Sequence, residues 1–172
     1  MLLKIQNVVS TADLRQRIDA RKFNQYQWGT YDIELYGGRC GYIKDERMQG
    51  RVSVFLSGKM ISTGAKAVSF SIKQLQHALE LLVSNKLAEW VDLECKVQNI
   101  VATLDLQRTL DVKKVTSSLA NYIYEPDNFP GIIYKHNGKI SCLIFASGKV
   151  VIAGVKSEDQ LENIVNEITK IL

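Results

Sequence analysis

The chain repeats itself. Residues 5–14 read IQNVVSTADL, and residues 97–106 read VQNIVATLDL, 92 positions later. Residues 55–66, FLSGKMISTGAK, return at 145–156 as FASGKVVIAGVK, 90 positions later. Order and spacing are both kept, so one supersecondary unit is used twice and any acceptable fold must divide into two like halves. The reading places the first repeat at 1–90 and the second at 91–172, joined near residues 86–96.

Each half then yields the same series of elements. An alternating strand opens it, with Asn7, Val9 and Thr11 on one face and Gln6, Val8 and Ser10 on the other, repeated by Asn99, Val101 and Thr103. A helix follows, marked by Leu110, Val115 and Leu119 in the second half and by a less regular set around Ile18 and Phe23 in the first. Strands are predicted at 33–36, 40–44, 51–56 and 59–63, matched by 122–125, 131–135, 140–146 and 149–153. A helix closes each half. Ser71 to Gln74 and Ser157 to Gln160 both have the S-x-x-Q form of a capping box, which satisfies free amides at a helix start. Behind them run the stripes Ile72, Leu75, Leu79, Leu82 and Leu161, Ile164, Ile168, Ile171.

Composition narrows the class. A chain of 172 residues, 46% hydrophobic and 23% charged, can bury one core or two small ones. No run of eighteen apolar residues and no secretory signal is present, so the expected setting is intracellular and no membrane partner is expected. Cys40, Cys95 and Cys142 are scattered, lack a C-x-x-C pair and have only His77 and His136 to help them; neither a metal site nor a disulfide framework is expected. The net charge of +4 permits a nucleic-acid partner without requiring one.

The strands are too apolar for a single core. In Ile140 to Ala146, Cys142 and Ile144 lie on one face and Leu143 and Phe145 on the other. Helices on one side cover only one of these faces. The other is either an interaction surface or the place where the halves bury each other, and the interaction reading is preferred.

With these elements in order, the sequence resembles the TATA-box-binding protein family. VQNIVAT, YEPDNFPGIIY and LIFASGKVV carry the likeness most strongly. The resemblance implies an α+β fold: two pseudo-symmetric repeats forming a saddle, a curved antiparallel sheet with helices on the convex face. It implies minor-groove contact through Asn7, Val9, Ile61, Thr63, Asn99, Val101, Leu143 and Val151. A·T pairs expose only acceptors there, so a smooth apolar surface with a few donors selects them. Phe129 and Phe145 match the family's second pair of wedges, which enter between base pairs and kink the duplex; Phe55 and Tyr36 fall at the first pair. Any one of these aromatics alone reads as core. Lys59, Lys66, Lys135, Lys149 and Lys156 match phosphate contacts, which position without reading sequence. Glu125 and Asp127 match acidic loop residues that receive transcription factor B, although Asn128 stands where the family usually has an apolar residue.

The first half departs from the pattern. Tyr31 to Tyr36, YDIELY, lacks the family's proline; Ser53 replaces a leucine, and Ala153 replaces the second central threonine. Tyr36 to Phe55 spans three more positions than Phe129 to Phe145, which predicts a longer hairpin within Gly37 to Gly50. The implied activity is that of a general transcription initiation factor that binds and bends A/T-rich promoter DNA and recruits transcription factor B. It is not that of an enzyme, and no cofactor is implied. The alternative is a diverged relative acting mainly through protein contacts. Self-dimerisation off DNA is a further expectation. The short N-terminus resembles the compact archaeal members, which implies a cytoplasmic, nucleoid-associated setting, against a nuclear one for a eukaryotic source.

Overall fold

The computed structural model describes all residues, Met1–Leu172. They form two compact units: a first, Asn7–Gln98, and a second made of Met1–Gln6 with Asn99–Leu172. The first unit contains most of β1 (Leu2–Asp13), then β2 (Gly29–Tyr31), β3 (Cys40–Ile43), β4 (Arg51–Phe55), β5 (Lys59–Ala65) and α1 (Val68–Ser84). Its antiparallel order is β2-β3-β4-β5-β1. The second contains most of β6 (Lys96–Asp105), then α2 (Val112–Ser118), β7 (Tyr122–Ile123), β8 (Gly131–His136), β9 (Ile140–Phe145), β10 (Lys149–Val155) and α3 (Glu158–Ile171). Its order is β6-β10-β9-β8-β7, also antiparallel. Helix α1 packs on β4 and β5, and α3 packs on β10, as an α+β fold requires.

Strand alternation decides which side of each sheet is core. Val8, Ser10, Ala12, Val52, Val54, Met60 and Ser62 are buried, while Asn7, Val9, Thr11, Ser53, Phe55, Ile61 and Thr63 between them are half-exposed. The second unit repeats this, with Ile100, Ala102, Cys142, Ile144, Val150 and Ile152 buried and their alternates half-exposed. Turns repeat as well. Gly58 and Gly148 have positive φ, and a Cβ there would come within 2.1 Å of the Gln16 carbonyl oxygen and 1.8 Å of that of Arg108. Only glycine accepts both the conformation and the close approach.

Four sequence expectations need correction. The segment 33–36 is not a strand. The strand is Gly29–Tyr31, bracketed by Asn24, whose Nδ2 donates to the Tyr31 carbonyl (2.8 Å) and whose Oδ1 accepts from the Tyr31 amide (2.7 Å). Beyond it the Asp32 carboxylate accepts from the Glu34 amide at 2.9 Å, which turns the chain. The helix expected around Ile18 and Phe23 is a 3-10 segment, Ala20–Gln25, with Phe23 fully buried over Gly41. In the second unit α2 forms as expected, its N-terminus capped by the Asp111 side chain. Nor is the extra length near Tyr36 confined to the hairpin. Judged by the partners of Phe55 (Cys40) and Phe145 (Gly131), two of the three added positions precede β3, where Tyr36, Gly37 and Gly38 all have positive φ.

The fourth correction concerns S-x-x-Q. Ser157 caps α3 as expected, its Oγ accepting from the Gln160 amide. Helix α1, however, starts at Val68, which places Ser71 and Gln74 inside it and against the sheet. Ser71 Oγ donates to Ser10 Oγ at 2.8 Å, Gln74 Nε2 to Ser62 Oγ at 2.8 Å, and the Gly50 amide to Gln74 Oε1 at 2.8 Å. All four side chains are buried and bonded, as a polar core group must be. The repeat puts Ala102, Ile152, Leu161 and Ile164 at these places in the second unit, all buried and apolar.

The β3–β4 connection is tied to α1 by a second polar contact. Asp45 Oδ2 meets His77 Nε2 at 2.5 Å, with Arg47 Nε 3.6 Å from the same oxygen. Burial pushes the Asp45 carboxyl up, but the bonds from the His77 ring and the Arg47 amide, with the charge of the nearby side chains, outweigh burial and hold it below the usual carboxylate range. A depressed folded value means stabilisation that is present above the unfolded pKa of about 4 and is lost as pH falls through the folded one. Asp45→Asn is therefore expected to cost about 1–2 kcal/mol at pH 7. That difference should shrink as the pH drops from about 5 toward 3; urea denaturation at both ends of the range checks it.

Candidate nucleic-acid interface

Each unit exposes the face that its helices leave open. The first carries Asn7, Val9, Ile61 and Thr63, and the second Asn99, Val101, Leu143 and Val151, all half-exposed. The strands place them by register: Ile61 lies opposite Thr11 and Ser53, and Val151 opposite Thr103 and Leu143. Ala153 stands in the second unit where Thr63 stands in the first, so only the first has a hydroxyl there.

The two asparagines are held alike. Asn7 Oδ1 accepts from the Gly64 amide at 2.7 Å, and Asn99 Oδ1 from the Gly154 amide at 2.8 Å. Both glycines sit at register shifts between paired strands and have positive φ. A backbone N–H can only donate, so each amide's orientation is fixed and what it has left to offer is the Nδ2 donor pair. Beside Val9, Ile61, Val101, Leu143 and Val151, with hydroxyls from Thr11, Ser53, Thr63 and Thr103 between them, these are fixed donors on a largely apolar floor.

Aromatic pairs border both faces. Phe129 and Phe145 lie 5.7 Å apart at 65°, and Tyr36 and Phe55 lie 6.2 Å apart at 68°. Phe55, Phe129 and Phe145 are half-exposed, and Tyr36 is 67% exposed. Tyr36 reaches this place from a left-handed backbone, φ 52°, whereas Phe129 is held by its amide donating to the Glu125 carbonyl at 2.8 Å. Gly131 makes room for the second pair, because a Cβ there would come within 2.7 Å of Phe129 and 3.0 Å of Phe145.

Charged residues stand at the ends of these strands and on the loops. Lys59, Lys66, Lys135, Lys149 and Lys156 are exposed, with Lys135 Nζ donating to Ser141 Oγ at 2.5 Å. Glu125 and Asp127 are exposed on the loop before Phe129, where Asn128 Nδ2 donates to the Glu125 carboxylate at 3.0 Å. No three His, Cys, Asp or Glu side chains come together as a metal-holding group. Burial pushes the Cys142 thiol up to about 12, which keeps it a neutral core group. No helix is long and apolar enough to cross a membrane.

The chain matches a known family model, Transcription factor TFIID (or TATA-binding protein, TBP), over residues 2–84 and 94–172. The chain belongs to the TATA-binding protein family. A TATA-box-binding protein of Cenarchaeum symbiosum is 49% identical over 158 residues, covering 92% of this chain and 87% of that one. One from Methanosphaera stadtmanae is 33% identical, covering 92% and 86%. Among solved structures, Methanococcus jannaschii TBP shares the fold with a TM-score of 0.85 at 28% identity, over 99% of this chain and 98% of that chain.

Sequence reasoning left two polar pairs off the TATA-binding protein face. Gln6 Nε2 donates to Thr103 Oγ1 at 2.7 Å, and Gln98 Nε2 to Thr11 Oγ1 at 2.8 Å. Their signal was the repeat itself: both residue types recur 92 positions apart, and both threonines continue the Asn-x-Val alternation. For the aromatic border, Gly131→Ala is expected to displace the Phe129 and Phe145 rings while changing unfolding free energy by less than about 1 kcal/mol, because ring ends yield more readily than backbone. Aromatic proton shifts report this, and unchanged ring resonances would count against a role for Gly131 as the spacer.

Proposed function

We propose that this protein is a general transcription initiation factor that binds and bends A/T-rich promoter DNA through the minor groove and recruits transcription factor B. The observation that carries the reading is the open face of each unit: a backbone-pinned asparagine, flanked by apolar side chains and bordered by an accessible aromatic pair. The A·T minor groove offers acceptors and lacks the guanine amino group, which suits fixed donors on a smooth floor. Wedging aromatics unstack base steps at a cost of a few kcal/mol, offset by the contact that bent DNA allows, as members of this family do. Val9, Ile61, Val101, Leu143 and Val151 lie against sugars and base edges, Thr63 adds a donor, and Lys59, Lys66, Lys135, Lys149 and Lys156 contact phosphates. Off DNA the same apolar faces are available to a second copy of the chain. The names of the archaeal relatives reported above, TATA-box-binding proteins, support the DNA partner.

Asn99→Asp tests the donor directly. Aspartate can still accept from the Gly154 amide, so the pin survives while both donors are lost and a charge meets the groove's acceptors. Binding to a TATA duplex should weaken at least tenfold, roughly 1–3 kcal/mol, with bending measured on the same duplex by energy transfer; undiminished binding removes Asn99 from the interface.

The acidic loop supplies the partner contact. Glu125 and Asp127 are exposed beside the wedge, where a basic segment of transcription factor B could reach them while DNA is bound. Asp127→Lys is the cleaner variant, because the Glu125 carboxylate also holds Asn128. It should lower ternary-complex formation by roughly tenfold, of the order of one charge-assisted bond, and leave binary DNA binding intact. Equal loss of both complexes speaks against a partner role.

A further inference from the structure

A cleft lies beside each aromatic pair. The first, of about 540 Å³, is lined by Thr11, Asp13, Phe55, Ser57, Lys59 and Lys96, and also by the charged pair Arg15 and Glu94. The second, of about 560 Å³, is lined by Thr103, Asp105, Phe145, Ser147, Lys149 and Lys4. These six lining residues of one cleft are the repeat equivalents of the six of the other, Lys4 and Lys96 included, which stand 92 positions apart. Each of these lysines lies in the unit opposite to its own repeat, because the leading ends of β1 and β6 belong to those units.

The charges in the clefts sort themselves. Arg15 pairs with Glu94 at 3.1 Å and cancels it. Asp13 accepts from the Arg15 amide and Asp105 from the Gln107 amide, both at 2.8 Å, which commits these carboxylates to their turns. Lys4, Lys59, Lys96 and Lys149 are exposed and take part in none of the ion pairs. What remains in each cleft is two unpaired ammonium groups facing one tethered carboxylate, beside serine and threonine hydroxyls and an aromatic ring. That set suits a phosphodiester whose sugar packs on the ring.

We infer that Lys4 and Lys96 are two further phosphate contacts, each closing a cleft from the side opposite Lys149 or Lys59 and gripping the DNA backbone next to the wedged step. This rests on the DNA-binding reading above and extends it to residues outside the main strand faces. Each contact should contribute about 0.9 to the slope of log K against log salt.

The test uses the full chain, a fluorescent TATA duplex and anisotropy titrations across a salt series. The double variant Lys4→Gln, Lys96→Gln should flatten the slope by about 1.8 and bind more weakly at low salt, converging with the unaltered chain at high salt. A control with the same charge change, Lys73→Gln with Lys170→Gln on the helices, should keep the slope. Lys4→Arg with Lys96→Arg should restore it. An unaltered chain that binds steeply while the Gln variant keeps its slope overturns the assignment of Lys4 and Lys96 alone. Equal flattening by the helix control also overturns it, since the effect would then be net charge. An unaltered chain without salt-dependent binding overturns the parent reading and this one together.

Discussion

A strand presents alternate side chains to opposite sides, and in each unit helices cover only one of them. Everything functional in this chain follows from that constraint. Because α1 lies over β4 and β5, Val52, Val54 and Met60 are core, and their neighbours Ser53, Phe55 and Ile61 are left uncovered by it. The open side is stabilised from below. Its asparagines are fixed by backbone amides of strands β5 and β10, so the polar groups offered to a partner need little ordering when they bind.

The two halves keep this surface while building their cores differently. Behind the first face lies the Ser10–Ser62–Ser71–Gln74 group; behind the second, alanine, isoleucine and leucine fill the same places. A satisfied polar network fixes one arrangement of helix on sheet, because sliding the helix leaves donors unpaired, whereas an apolar core of similar volume tolerates small shifts. The Gly50 amide bonded to Gln74 and the Asp45–His77 contact both attach the seven-residue β3–β4 connection, Lys44–Gly50, to α1. Beside the shorter β8–β9 connection, Asn137–Lys139, the last residue of β8, His136, lies 3.4 Å from Glu167 of α3.

What the sequence disclosed depended on range. The repeat and the alternation are local or periodic signals, and they located β1, β4, β5, β6, β8, β9 and β10 and the open-face residues on them. Failures came where a local pattern served a distant purpose. Ser71 to Gln74 has the letters of a cap, but both residues point polar groups at strands nine and more positions away. Tyr31, Ile33 and Leu35 alternate like a strand, yet Ile33 is 71% and Leu35 41% exposed on a turn set by Asp32. The asparagine pins, 57 and 55 residues apart in sequence, had no local signature. Even so, the residue types they fix were legible from the repeat.

The first aromatic pair shows which feature the fold holds constant. Between Tyr31 and β3 the chain lost the proline of Tyr124 to Phe129, gained two positions and adopted three consecutive left-handed residues, of which the tyrosine costs roughly 1–2 kcal/mol against an ordinary backbone. The chain path is thus rebuilt. The ring is not: Tyr36 meets Phe55 with nearly the separation and tilt of Phe129 on Phe145. Gly37 and Gly38 supply the conformational freedom, and the Tyr31 hydroxyl, donating to the Gly38 carbonyl at 3.1 Å, fastens the rebuilt turn to the strand beside it. A backbone held in a costly conformation with its aromatic ring 67% exposed gains little from burial in return. A contact of the ring outside the chain, as the proposed wedge role would provide, is what could offset that cost.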